Sequence, residues 1–238
     1  MTKVLSIDSS SIVTTVAVLD EEKLLAEYIE NHKQGHSEKM MVIINNMLED
    51  LEIAPKDLDV IAVAKGPGSF TGIRIGMACA QGIAHAINKP IVGVNTLDGL
   101  AYNLMYSKDL ICPVINAQRQ ELYTSLYCFN GEALERLWEY KLIKADELVK
   151  ELIKLNQRVI TLGDGTHILK QALEKQLSKD NIFFAHPVLS MPKASSIAAA
   201  ALQDFRQGRA QDCFSIKPFY IRKSNAEEKW EEHHGAKS

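Results

Sequence analysis

Residues Lys65–Gly76 read KGPGSFTGIRIG, with four glycines, directly after the apolar run VIAVA (Val60–Ala64) and directly before the helix-like run MACAQGIAHAI (Met77–Ile87). How this stretch is read decides the fold. A strand, a glycine loop, a helix and the further strand PIVGV (Pro90–Val94) make a β-α-β unit, whose crossover favours two parallel strands and a right-handed connection. Glycines between a strand and a helix also suggest a phosphate cradle, and that idea can be tested position by position. A Walker A loop needs a lysine and a hydroxyl residue after its last glycine, whereas Gly72 is followed by Ile73 and Arg74. A dinucleotide fingerprint needs its third glycine where Thr71 stands, and an acidic residue about 20 positions on, where Asn95 and Thr96 stand. Both fingerprints fail by register. Two readings remain open: Ser69 or Thr71 caps the helix and leaves backbone N–H groups for an anion, or the glycines serve packing. Gly72, Gly76, Ala80 and Ala84 recur every four residues, a smooth stripe that lets another helix approach closely.

Outward from this unit the pattern is doubled. VLSID (Val4–Asp8), IVTTVAVLD (Ile12–Asp20) and KLLAEYIE (Lys23–Glu30) read as an antiparallel start, and a helical period runs over His36–Leu51. After a polar break at Ser107–Asp109, ICPVINA and ELYTSLYCF form a hairpin, with a third strand around Leu134–Leu142. A helix over Ala145–Lys154, a strand RVITLG, a helix from Thr166 and an alanine-rich helix over Lys193–Gln207 follow. Strands first and α/β after, twice over, predicts an α/β protein of two related subdomains facing a cleft. Their ranges are 1–106 and 107–222, with the late segment packing back on the first subdomain, and 223–238 reads as a mobile polar tail.

Composition bounds the function. The chain has 238 residues, 46% hydrophobic and 24% charged, with a formal net charge of −3, so it lacks the broad basic field of an independent nucleic-acid binder. Cys79, Cys112, Cys128 and Cys213 are far apart and form no C-x-x-C pair, no signal peptide is read at the start, and apolar runs are too short to span a membrane. A soluble cytoplasmic protein is expected. His32 and His36 stand four apart, but Gly35 between them argues against one helix face, and a helix cap by His36 or Ser37 is the plainer reading. GPGSFTG does not fit the G-x-S-x-G elbow of a serine hydrolase.

IDSSS, HSE, GPGSFTGIRIG, GVNTLDGLA, RQELY and PFYIRKS occur in order over nearly the whole chain. With these motifs the sequence resembles the bacterial TsaB (YeaZ) family. The resemblance implies the actin/hexokinase/chaperone ATPase-like (ASKHA) superfold, built from two ribonuclease H-like subdomains. It also implies a non-catalytic role in forming threonylcarbamoyladenosine in tRNA, beside the catalytic paralogue TsaD. The complex would use ATP and a metal, a TsaE-type ATPase would join it, and tRNA would be engaged indirectly. No cofactor is expected for this chain alone, no catalytic or metal-ligating residue is assigned, and a homodimer is expected when the paralogue is absent.

Departures from the paralogue support that division of labour. Its H-x-x-x-H metal pair corresponds to Thr96 and Leu100 here, and leucine has no lone pair to donate. The first hairpin turn, glycine in the superfold's ATPases, is Ser9–Ser11 after Asp8, and Asn116 stands where the family usually shows aspartate. Vestigial nucleotide or anion contacts are expected at Asp8, Ser10, Ser69, Thr71, Gly163 and Asp164. The partner interface is expected on the first two helices, at Met40, Met41, Ile44, Met47, Leu48, Gly72, Ile73, Gly76 and Ala80. A stand-alone ATP-binding kinase or hydrolase of the same superfold is the alternative.

Overall fold

The computed structural model describes residues 1–31, 36–176 and 181–222; of residues 36–38 only the backbone course is described. The expected tail and His32 lie outside the described residues, as do the side chains of His36 and Ser37. Two sheets carry the fold. In the first, β1 (Val4–Asp8), β2 (Val13–Leu19), β3 (Leu24–Asn31), β4 (Val60–Ala64) and β5 (Ile91–Val94) lie in the order β3-β2-β1-β4-β5. β1 and β4 are parallel, as are β4 and β5, so the glycine-loop unit is the parallel crossover that its sequence predicted.

The second sheet repeats that order. Its strands are β6 (Leu110–Asn116), β7 (Glu121–Thr124), β8 (Tyr127–Phe129), β9 (Leu134–Arg136), β10 (Lys141–Lys144), β11 (Val159–Leu162) and β12 (Ile182–Phe184). They run β10-β7-β6-β11-β12, with β8 and β9 as an added hairpin beside β6. Setting the hairpin aside, both sheets read third-second-first-fourth-fifth, which is the duplicated plan expected of the ASKHA superfold. The run ELYTSLYCF is not one strand. Ser125 interrupts it, donating its hydroxyl to the Trp138 carbonyl, and the Leu126 carbonyl accepts from Leu137 N–H.

The first sheet is covered on both faces, and its strands alternate accordingly. Leu5, Ile7, Ile61 and Val63 face α1 (His36–Asp50) and α2 (Phe70–Ala86). Val4, Val60, Ala62 and Ala64 face α7 (Ala194–Arg206), whose alanines suit a close approach. α3 (Thr96–Tyr102), which follows β5, does the reverse: Leu97, Leu100 and Ala101 pack with Ile111, Ile115 and Leu162 of the second sheet. Each half therefore lends its last long helix to the junction, and α3 and α7 meet there. A Cβ on Gly99 of α3 would come within 2.3 Å of Ile197 Cδ1, so glycine is what lets these helices touch. α4 (Ala145–Lys154) and α5 (Thr166–Glu174) cover the second sheet, and the short α6 (Pro187–Ser190) precedes α7.

The packing of α1 and α2 corrects the expected interface residue by residue. Met40, Ile44, Met47 and Leu48 point into the chain's own core, as do Ile73 and Ala80. Burying each of the larger side chains contributes roughly 1.5–3 kcal/mol to the fold. Gly72 and Gly76 face the end of β1, where their Cβ atoms would lie 1.9 Å from the Ser9 carbonyl oxygen and 2.5 Å from Ser9 Oγ. The stripe Gly72–Gly76–Ala80–Ala84 is thus an internal packing face against the β1–β2 turn and the first sheet. Met41 alone of the expected set is strongly exposed, at 51%, and Val42 beside it is 57% exposed.

Candidate functional site

β1 ends at Asp8, and the turn to β2 folds back on that residue. Asp8 Oδ1 accepts from the Ser10 N–H at 2.8 Å and the Ser10 hydroxyl at 2.6 Å. The carboxyl is 1% exposed. Burial pushes its pKa above the usual carboxylate value, and the two Ser10 donors oppose that shift. Ser9 donates its hydroxyl to the Gly72 carbonyl at 2.8 Å. The turn is closed by its own side chains.

The glycine loop then seals the turn from above. Ser69 N–H donates to the Ser10 carbonyl, and a Cβ on Gly68 would lie 2.2 Å from that same oxygen. Gly68 also has φ +155° and Gly66 has φ +107°, both in the region that favours glycine. A Cβ on Gly66 would meet the Phe219 carbonyl at 2.5 Å. The glycines therefore admit backbone of this chain, the carbonyls of Ser10 and Phe219. Ser69 caps α2, its hydroxyl accepting from Gly72 N–H at 3.2 Å. Ser69 and Thr71 stay exposed at the lip.

Beyond that lip lies a cleft of about 550 Å³ between the two halves. Ser10, Ser69 and Thr71 line one wall, and Asn116, Arg119 and Asp164 the other. Four of the six expected contacts (Ser10, Ser69, Thr71, Asp164) thus converge on one cleft, with Asp8 buried under its floor. Gly163 is buried behind the opposite wall, φ +107°, its Cβ position 2.3 Å from the Val114 carbonyl oxygen. Asp164 Oδ1 accepts from Asn116 N–H at 2.9 Å. Although Asp164 opens onto the cleft, the protein packed around its carboxyl raises its pKa, and the Asn116 N–H opposes the shift.

Three features of the cleft and the junction beside it go beyond the residues named from the sequence. Gln118, Arg119 and Gln120 all have positive φ, at 65°, 52° and 63°, a strained run for non-glycine residues. No glycine or asparagine at these positions announces it. Second, Phe219 and Tyr220 strap the glycine loop. Phe219 N–H donates to the Lys65 carbonyl, Tyr220 stacks on Phe70 at 5.0 Å, and Arg74 lies 3.8 Å over Phe70 while donating to the Tyr220 hydroxyl. The two motifs GPGSFTGIRIG and PFYIRKS meet here. Third, Asp98 of α3 accepts from the hydroxyls of Tyr127 at 2.7 Å and Tyr140 at 2.7 Å, joining the halves at the junction. Burial raises the Asp98 pKa and the two hydroxyls oppose it.

Both positions that the resemblance matches to the paralogue's metal pair are buried. Thr96 and Leu100 are 2% and 3% exposed on α3, and Leu100 packs with Leu97, Ile111 and Leu162. Among the described residues, no three His, Cys, Asp or Glu side chains are placed to hold a metal ion, and no helix is long and apolar enough to cross a membrane.

Comparison with known proteins agrees with this architecture. The model of the family described as TsaD, tRNA N6-adenosine threonylcarbamoyltransferase, matches residues 23–230. The chain is 34% identical over 227 residues to the tRNA threonylcarbamoyladenosine biosynthesis protein TsaB of Bacillus subtilis (strain 168), covering 95% of this chain and 97% of that protein. It is 25% identical to the TsaB protein of Escherichia coli (strain K12), over 94% of this chain and 96% of that one. The structure of YeaZ from Pseudomonas aeruginosa superposes with a TM-score of 0.80 at 21% identity, covering 92% of this chain and all of that one, which is a likeness of fold. These matches make the chain a member of the TsaB (YeaZ) family, paralogous to TsaD.

Proposed function

We propose that this chain is a non-catalytic subunit of the machinery that forms threonylcarbamoyladenosine in tRNA, and that it acts by binding and activating a TsaD-type paralogue. The observation that carries this reading is that Thr96 and Leu100, which the resemblance matches to the paralogue's two metal-binding histidines, are both buried, Leu100 within the hydrophobic junction. The transfer chemistry then belongs to the partner, together with the ATP and metal that the complex uses; a TsaE-type ATPase and tRNA are engaged through the assembly.

The surface for pairing is the outer face of α1 and α2, shifted from the positions read from sequence. Met41 and Val42 are exposed on α1, and Met41 Sδ lies 3.2 Å from Cys79 Sγ on α2. Ala78, Gly82 and Ala86 form a second small-residue stripe on α2, and all three are exposed. A Cβ on Gly82 would meet nothing within 4 Å, so the chain itself has no packing use for that glycine. Glycine inside a helix costs about 1 kcal/mol relative to alanine, and a partner helix packed close against this stripe would explain its presence. In the absence of the paralogue a second copy would take the same place.

The test is co-purification with the TsaD-type paralogue and assay of tRNA modification by the pair. Gly82→Leu is expected to leave the monomer folded, to weaken pairing at least tenfold and to lower modification in proportion. Unchanged pairing by Gly82→Leu would sink the surface assignment. Threonylcarbamoyl transfer by the isolated chain would sink the non-catalytic reading, and calorimetry with Mg-ATP separates it from a stand-alone kinase or hydrolase, which requires binding with turnover.

A further inference from the structure

The two halves differ between their second and third strands. In the first, β2 reaches β3 through residues 20–23, a turn closed by Asp20, whose carboxylate accepts from the Glu22 and Lys23 N–H groups. In the second, β7 reaches β10 through residues 125–140, and the added length forms the hairpin β8–β9 beside β6. This insertion carries Tyr127 on β8, Arg136 on β9, and Tyr140 just before β10.

All three side chains act on one carboxylate of the other half. Tyr127 donates to Asp98 Oδ1 at 2.7 Å, and Tyr140 donates to both oxygens, at 2.9 and 2.7 Å. Arg136 lies 4.1 Å over the Tyr140 ring. Its charge and that of Lys65, which follows β4, both favour the ionised form of Asp98, against the burial that opposes it. Tyr140 also meets Phe219 edge-on at 5.5 Å, and Phe219 is tied to the Lys65 carbonyl. Lys65 and Asp98 of the first half thus share a buried cluster with Tyr127, Arg136 and Tyr140 of the second.

The place of this cluster gives it a mechanical role. Asp98 stands next to Gly99, where α3 crosses α7. The end of α3 is pinned too: Ser196 of α7 donates to Asn103 Oδ1 at 2.6 Å, and Asn103 Nδ2 donates to the Leu189 and Met191 carbonyls, both at 2.8 Å. Turning one half against the other about this crossing would pull the tyrosine hydroxyls from Asp98. A buried carboxylate stripped of its donors is far costlier than an exposed one.

We propose that the hairpin β8–β9 is a brace that holds the two halves at one angle through Asp98, so that the cleft beside Ser10 keeps a fixed width. The brace arrests the hinge that two packed subdomains would otherwise form. It lies away from the outer faces of α1 and α2 and does not depend on the pairing role proposed above.

Dipolar spectroscopy tests it, with spin labels on Asp50→Cys at the end of α1 and Lys150→Cys on α4, both exposed. The full chain is used with Cys79→Ala and Cys128→Ala, since Cys112 and Cys213 are buried. One narrow distance is expected while the brace is intact. Tyr127→Phe combined with Tyr140→Phe keeps both rings and removes both donors, and is expected to broaden the distribution or to add a second distance. Asp98→Asn keeps the shape and one accepting oxygen, so the same change is expected in smaller measure; it carries the test where the double variant fails to fold. Melting temperatures taken alongside separate a brace from plain packing. A lower melting temperature with an unchanged distance overturns the proposal, and so does a broad distribution before the brace is altered.

Discussion

The two walls of the cleft are built on one plan and finished differently. In the first half, the strand ending at Asp8 turns so that its carboxylate accepts from the N–H two residues on, Ser10. In the second, the strand ending at Asn116 turns so that its amide oxygen accepts from the N–H two residues on, Gln118, at 2.8 Å. A glycine loop then presses on each: Gly68 and Ser69 on the Ser10 carbonyl, Gly163 and Gly165 on the Val114 carbonyl. Asp8 is sealed, whereas Asn116 remains partly open and its turn, Gln118–Gln120, is held in strained backbone facing the cleft. In the first half these loops are committed to packing; the second presents polar groups outward.

That contrast can be broken at the glycines first. Gly68→Ala places a Cβ 2.2 Å from backbone oxygen at a φ that disfavours side chains, and is expected to cost about 3 kcal/mol or more in denaturant unfolding. Gly165→Ala meets mainly the flexible Leu122 Cδ2, at 2.6 Å, and is expected to cost about 1 kcal/mol. Equal costs would mean that the two loops are equally committed to packing. Helix caps come next. Ser69→Ala removes the side-chain cap of α2 and should cost about 1 kcal/mol, whereas α5 begins at Gly165 with no side-chain cap to lose.

The smallest effect concerns the strand-end residues themselves. Burial raises the Asp8 pKa in the folded chain, so the folded state holds that proton more tightly than the unfolded one. The group therefore costs stability as pH rises from the unfolded carboxylate value of about 4 through the raised folded value. Asp8→Asn, which gives the first turn the residue type of the second, is expected to stabilise the protein near pH 7 by on the order of 1 kcal/mol. The gain should shrink toward zero as the pH approaches 4. A gain independent of pH would show that the Asp8 charge is not the cause.

Much of the architecture was legible in the sequence because it is local. Strand runs bounded by polar turns gave both sheets, and the helix over Ala145–Lys154 has the bounds its apolar period predicts. β12 and α6 were not foreseen, since three or four residues carry too little periodicity. The inward and outward faces of α1 and α2 were confused for a physical reason. When apolar or small residues cover half a helix, periodicity shows two smooth sides without saying which is buried; Gly76 and Gly82 look alike until Ser9 is seen beside one and nothing beside the other. The strap of Phe219 and Tyr220 over Lys65 and Phe70 spans some 150 residues of chain; the sequence placed the late segment on the first subdomain but did not name these contacts, because no local periodicity encodes them.

The exchange of last helices between the halves also sets the order in which the protein can be made. When α3 has left the ribosome, the face formed by Val4, Val60, Ala62 and Ala64 still lacks α7, which is encoded about a hundred residues later. At synthesis rates of about 5–20 residues per second, that apolar face waits roughly 5–20 s for its cover. The first half is therefore a nascent chain that needs shelter, and a fragment ended before α7 would carry an open, aggregation-prone surface into solution.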